Sequence, residues 1–429
     1  MAILFGEDIM AFASRSKSLR IVALVGVLST LAVASGIAPA HCQDEVLHLF
    51  RGHRDGAQPS GGLIADNKGS LYGGTGGGGT GTQCYDGTMG CGTLYKIAKD
   101  GREKVLYSFQ GGSDGISPAG SLLTDNSGDL YGATEGGGGN GCAGYGCGTI
   151  FKLARGGKET VLYTFQGGSD GGYPQGSLIA DTSGNFYGVT GEGGYGAECC
   201  GTVFEVQPNG NKITLYTFQG GSDGAYPVGG LIADAAGNLY GMTDIGGGTG
   251  CGGDGCGTVF KLTPGGTESV LYAFQGITDG QFPEAGLITD DAGDLYGTTT
   301  WGGTSDAGTV FEVTPAGQKT VLYSFKGGSY GGYPEAGLIM DKKGNLYGTT
   351  YGGGATGCKK QGFEGCGTAF ELTPGGTETV LCRFDQAGGG NPAAPLLSSA
   401  SHGALFLFGT TYAGGKGNNG AVFELKLSR

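Results

Sequence analysis

Charge, tryptophan, histidine and long apolar runs are all scarce in this chain. Only 15% of its 429 residues are charged, four are histidine and one is tryptophan. Acidic residues outnumber basic ones by 38 to 25, for a net charge of −13, and no Lys/Arg cluster occurs beyond the N-terminus. A nucleic-acid groove needs positive charge to neutralise phosphates, so that class of partner is disfavoured. With so few histidines and no C-x2-C pair, no metal centre and no cofactor is expected. The G-G-S-D-G runs around Ser113, Ser169 and Ser222 match G-x-S-x-G as letters only. A nucleophile elbow sits on a strand-to-helix turn, and no helix is expected here.

The one apolar run lies at the N-terminus. Arg15, Lys17 and Arg20 precede a largely apolar stretch of 14 residues (21–34), and Ala38-Pro39-Ala40 offers a small-x-small cleavage pattern. A membrane span needs ~20 apolar residues, so 1–40 reads as a signal peptide. Glu7 and Asp8 are unusual in such a segment, which makes Met10 an alternative start. Pro39-Ala40-His41 before Cys42 is not a lipobox, so no lipid anchor is expected. The expected product is a secreted or periplasmic monomer, with 41–429 forming one domain.

Glycine is abundant instead, at 99 residues, while 38% of the chain is still hydrophobic. Without a collagen-like triplet, and with regular apolar runs between the glycines, that composition means many tight turns. Aligning the V-L-Y-x-F segments places Phe50, Phe109, Phe165, Phe218, Phe274, Phe325 and Phe384 at spacings of 59, 56, 53, 56, 51 and 59 residues. A period of this size with strand-like segments marks a repeat architecture. The copy over 230–274 shows the plan, with four strand-like runs. The first and second are joined by a D-x-x-G-N turn, the second and third by a glycine-rich loop, and the third and fourth by Pro264-Gly265-Gly266.

Four antiparallel strands per repeat, set radially, make an all-β propeller. The first strand recurs seven times, near Leu63, Leu122, Leu178, Leu231, Leu287, Leu338 and Leu396, which number the units one to seven. The seventh lacks a fourth strand, and a spare one lies at 45–50. The expectation is seven blades, with the N-terminal strand pairing with the C-terminal three and leaving no open sheet edge. Strand direction puts the loops after the second and fourth strands on one face, the candidate working surface.

The repeated pattern G-x-L-I-x-D-x-x-G-N-L-Y-G-T-T, followed by G-T-V-F-E-L-T-P-x-G and V-L-Y-x-F, resembles the GloVer-type tandem repeat of exported bacterial proteins. The likeness covers about 45–429 and is more distant for NHL-type propeller repeats. It implies export and repetition, and assigns no activity. Some members of that family end in a sorting or anchoring tail; here the chain stops at its last strand, which implies a soluble product.

Ten of the 12 cysteines fall in the loop after the second strand: Cys84/Cys91, Cys142/Cys147, Cys199/Cys200, Cys251/Cys256 and Cys358/Cys366. Short paired spacings in an exported chain read as local disulfides. Cys199-Cys200 is the exception, because neighbours bridge only through a strained ring. Cys42 and Cys382 are left over, with each other as the available partner. Asp66, Asp125, Asp181, Asp234, Asp290 and Asp341 open D-x-x-G turns and read as turn caps. Asp55, Asp114, Asp170, Asp223 and Asp279, in the S/T-D-G runs and the equivalent first position, either cap turns or ring a central channel. Tyr330 and Gly389 break that series.

Aromatics on the same face suggest binding. Tyr173, Tyr226, Phe282 and Tyr333 each precede a proline, and Trp301, Tyr351 and Tyr412 each follow a second strand. Such side chains stack on sugar rings around a concavity, or pack between blades. Glu135, Glu192, Asp244, Glu284 and Glu335 lie nearby, but no spacing selects a catalytic pair. His41, His48, His53 and His402 fall near the chain ends and read as surface residues. The leading reading is a non-catalytic recognition protein for a glycan or an extracellular protein. A carbohydrate-active lyase or hydrolase is the first alternative, and a structural envelope protein the second.

Overall fold

The computed structural model describes residues 40–41, 46–84, 90–194, 199–355, 357–360, 363–401 and 403–428. The expected signal peptide falls outside them except for Ala40, as do Cys42 and His402. Within them the chain is all-β and propeller-like, with single turns of 3-10 helix between strands. None of its helices is long and apolar enough to cross a membrane.

The fourth unit folds as the strands Ala225–Ala233, Leu239–Ile245, Thr258–Leu262 and Glu268–Ala273, each antiparallel to the next. Its first turn is built by Asp234. Oδ1 accepts the Ala236 and Asn238 amides, and Oδ2 accepts the Tyr240 hydroxyl at 3.0 Å. Asp66, Asp181 and Asp341 repeat this arrangement, so these aspartates are turn residues. Inside the sheet, Thr243 Oγ1 lies 2.8 Å from Thr258 Oγ1, accepts the Thr258 amide and donates to Ile245 O. The same pairing joins Thr75 to Thr93, Thr134 to Thr149, Thr190 to Thr202, Thr299 to Thr309 and Thr350 to Thr368, which lets these threonines be fully buried, whereas Thr349 Oγ1 is buried without a partner.

The sheet at the C-terminal end is assembled from both ends of the chain. Leu397–Ser401, Ala404–Thr411 and Ala421–Ser428 pair in order, and Val46–Leu49 adds antiparallel to Ala421–Ser428.

No single hydrophobic centre exists among the described residues. The core is divided into clusters, each shared by two adjacent units, including one that joins Phe408 and Val422 of the seventh unit to Leu63 and Tyr95 of the first. One ring contact recurs at these boundaries. The fourth-strand phenylalanine meets the next unit's third-strand aromatic edge to face: Phe109–Phe151 at 5.2 Å, Phe218–Phe260 at 5.1 Å, Phe384–Phe423 at 4.9 Å and Phe50–Tyr95 at 5.0 Å. Edge-to-face geometry suits the ring quadrupoles.

The loops after the second strands are held by bridges Cys84–Cys91, Cys142–Cys147, Cys251–Cys256 and Cys358–Cys366, with Cα–Cα distances of 5.1, 5.2, 5.3 and 5.0 Å. The neighbours Cys199 and Cys200 are joined too. Cys382 is also disulfide-bonded, in the strand Glu378–Arg383 that pairs in parallel with Ala40–His41. Its expected pairing with Cys42 lies outside the described residues.

Candidate functional site

The repeat brings the loops after the second and fourth strands together across unit boundaries. Gly194 and Gly247, in second-strand loops, donate their amides to Gly168 O and Gly221 O, both at 2.7 Å. Beside these loops stands the residue before the proline that leads into each unit's first strand. Gln58, Ser117, Tyr173, Tyr226, Phe282, Tyr333 and Asn391 all have φ between +54° and +60°. Residues other than glycine rarely hold this conformation, which costs about 1–3 kcal/mol each. The strain is offset by a cross-unit hydrogen bond. Tyr173 N–H donates to Cys147 O at 2.8 Å, Phe282 to Cys256 O at 3.0 Å, and Gln58 to Asn419 O at 2.8 Å.

The four aromatics before proline are therefore locked at boundaries, yet all remain partly exposed. Trp301 and Tyr412 are half-buried as well; Trp301 packs edge to face on Tyr333 at 4.7 Å. Tyr351 departs from the expectation. It is 3% exposed and its ring is not presented to solvent.

A cavity of about 530 Å³ is walled by backbone from first-strand segments of every unit: Gly61, Gly120, Gly176, Gly229, Gly286, Gly337 and Pro395 mark them in turn. Into it reach Glu135, Gln175, Asp244, Glu284 and Glu335, and none of the described residues lining it is basic. A second cavity of about 290 Å³ shares Glu135, Gln175 and Val228 with the first and adds Tyr173, Glu192 and Tyr226. The side chains come from two repeat positions only, the end of the second strand (Glu135, Asp244) and the residue after the proline (Gln175, Glu284, Glu335). Gln175 escaped the sequence reading, although its place after Pro174 was the available signal.

Burial alone pushes Glu135 up to about 7 and Asp244 up to about 6. Asp244 Oδ1 is out of solvent with no hydrogen-bond donor. Glu284 is raised in the same direction, by burial first and the Asp244 charge second.

The S/T-D-G aspartates are elsewhere. Asp114, Asp170, Asp223 and Asp279 accept the Tyr107, Tyr163, Tyr216 and Tyr272 hydroxyls at unit boundaries and also accept the backbone amide four residues upstream, which closes the turn between. They do not line the central cavity. Nor is His48 a surface residue: its side chain is 13% exposed and lies 4.9 Å edge to face from Phe50. His53 is exposed.

The sequence profile of the Gloeobacter/Verrucomicrobia repeat matches residues 18–253 and 249–429. The chain belongs to this repeat family. No curated protein matches it. Among solved structures, a luciferin-regenerating enzyme is 13% identical with a TM-score of 0.43, over 73% of this chain and 91% of that one. A puromycin hydrolase is 12% identical with a TM-score of 0.51, over 87% of this chain and 52% of that one. The chain thus spans about half of that hydrolase, and the likeness speaks for the fold alone.

In this member of the repeat family, the cavity carboxyls make stability depend on pH in a defined direction. Glu135 and Asp244 bind protons more tightly in the folded chain than at their ordinary values of 4.5 and 3.8. Their protonation stabilises the fold, fully below about pH 4, and that contribution is lost as pH rises towards 7. The melting temperature is expected to fall between pH 5 and pH 8, and Glu135→Gln should flatten the slope. Equal slopes for the two proteins in a calorimetric pH series would refute it.

Proposed function

We propose that this chain is an exported, single-domain, seven-bladed propeller that binds a neutral glycan in its central cavity. Export is supported by the N-terminal sequence pattern together with the disulfides that hold the loops. Ring closure is supported by the boundary between the seventh and first units, which repeats the features of the others. Phe50 meets Tyr95, Gln58 bonds Asn419, and Thr410 Oγ1 donates to Gly61 O at 3.4 Å.

The observation that carries the binding reading is the cavity itself: four carboxyl groups, a glutamine and no basic lining residue. Such a site repels phosphates, sulfates and uronates. Sugar hydroxyls are the complementary partners, because these carboxyl groups accept hydrogen bonds when ionised and also donate them when protonated. Tyr173 and Tyr226, on the adjoining cavity, add ring faces for stacking. The volume is that of an ordinary small-ligand site.

A glycan array followed by calorimetry tests this. Neutral oligosaccharides are expected to bind, and Tyr226→Ala and Glu135→Gln should each weaken binding by about tenfold or more. Absence of binding to any neutral glycan, or equal affinity in both variants, overturns it. The raised Glu135, on the same cavity as Asp244 and Glu284, favours one second reading, a carbohydrate-active lyase or hydrolase. New chain ends released from the bound glycan, and abolished in Glu135→Gln, would place that reading first.

A further inference from the structure

Each boundary between units carries the same three positions. The first is the residue two before the boundary phenylalanine. The second lies five after that phenylalanine, and the third lies six before the next unit's phenylalanine. At four boundaries the first two are a tyrosine and an aspartate joined by a hydrogen bond of 2.7–2.9 Å. At two of these the third position is a lysine. Lys212 Nζ lies 3.1 Å from the Asp170 carboxylate and 2.6 Å from its main-chain oxygen. Lys319 Nζ lies 2.9 Å from the Asp279 carboxylate and also donates to its main-chain oxygen. The lysine side chains are 4% and 3% exposed. At these two boundaries a cation is held against the aspartate.

Where the N-terminal strand meets the first unit, two of the three residues change. His48 stands in place of the tyrosine, Asp55 is kept, and Glu103 stands where Lys212 and Lys319 stand. His48 Nε2 is 3.4 Å from Asp55 Oδ2, and ligand atoms of all three residues lie within 4.8 Å of one another. His48 Nε2 is out of solvent with Asp55 as its one close polar neighbour, and Glu103 Oε1, like Glu159, Glu268 and Glu378 Oε1 at sister boundaries, is out of solvent with no hydrogen-bond partner. Two carboxyls and an imidazole nitrogen therefore converge where two sister boundaries, those of Asp170 and Asp279, hold an ammonium. Leaving such groups buried and unpaired is costly.

We propose that His48, Asp55 and Glu103 form a binding site for a divalent transition-metal ion, zinc foremost. The ion takes the place of the lysine ammonium and ties the strand Val46–Leu49 to the first unit. One imidazole nitrogen with carboxylate oxygens suits zinc, whereas calcium and magnesium favour all-oxygen shells. The other two aspartate–glutamate boundaries, Asp114 with Glu159 and Asp223 with Glu268, offer tyrosine in place of imidazole and lack this ligand set.

The test uses the full chain, stripped with EDTA and titrated with zinc chloride, read by calorimetry and by melting temperature. The expected result is a single saturable binding event with a zinc-dependent rise in melting temperature, reversed by EDTA. Two variants borrow residues from the sister boundaries. Glu103→Lys should melt at or above the metal-free wild type and lose the zinc response, and His48→Tyr should lose the response as well. Should Glu103→Lys fail to fold, His48→Tyr decides. A wild-type protein indifferent to zinc, or a zinc response that survives in His48→Tyr, overturns the proposal. Neither outcome bears on glycan binding in the central cavity.

Discussion

Deleting residues 45–50 is expected to destabilise the whole chain, by more than the ~3–5 kcal/mol that removing one buried phenylalanine side chain costs. Val46–Leu49 supplies the fourth strand of the C-terminal sheet, pairing Val46 with Phe423 and Leu49 with Ala421. Phe50 is fully buried, 5.0 Å from Tyr95 of the first unit. Its loss opens a cavity in the cluster that also holds Leu63, Leu71 and Phe408. The deletion further leaves Ala421–Ser428 as an open edge, with unpaired backbone groups ready for another chain. Urea unfolding followed by tyrosine fluorescence checks this, with aggregation scored by light scattering. An unchanged midpoint would refute the proposed closure by the N-terminal strand.

The second large effect is expected from a single methyl group. Gly257 opens the third strand of the fourth unit at φ +98°, and an added Cβ would lie 2.6 Å from Pro283 Cδ and 2.5 Å from Thr243 O. Proline and glycine interlock across the boundary, so neither can retreat without moving a sheet. Gly257→Ala combines left-handed strain of about 1–2 kcal/mol with overpacking of about 1–3 kcal/mol. A total near 3–4 kcal/mol is expected. Gly420 occupies the equivalent place at φ +88°, with its Cβ position 2.7 Å from Pro59 Cδ, and Gly420→Ala should cost about the same. Gly156, whose Cβ would meet nothing within 4 Å, is the control and should stay within about 0.5 kcal/mol of wild type. A harmless Gly420→Ala beside a damaging Gly257→Ala would count against the proposed packing of the first unit on the seventh.

Much of the scaffold was legible because its chemistry is local. An aspartate that accepts amides two and four residues on announces its turn wherever it stands, as Asp234 does. Cysteines five to eight residues apart have few other partners, and Cys142–Cys147 and Cys358–Cys366 paired as their spacing suggested. The Tyr351 expectation failed for a tertiary reason. Its strand position matches that of Trp301 and Tyr412, but its ring is enclosed, and its carbonyl accepts the Asn391 side-chain amide from the next unit at 2.9 Å. The S/T-D-G aspartates were ambiguous in one dimension because turn caps and channel-lining carboxylates share the same dipeptide. Only the place of Tyr107 and its counterparts, seven residues upstream and folded back onto them, decided for the boundary.

By itself the sequence determined the period, the all-β class, the order of strands within a unit and the turns and bridges that join them. Each rests on interactions within about 60 residues, which composition and spacing report directly. The tertiary structure decided which side chains share a space. Glu135, Asp244, Glu284 and Glu335 come from four different units and converge because the first strands all face one cavity. His48, Asp55 and Glu103 meet because a strand from the N-terminus is held by the last strands of the chain while packing on the first unit. Convergence of this kind depends on how sheets are placed relative to one another. Repeat spacing leaves that undetermined, since a radial and a linear stack share the same local chemistry.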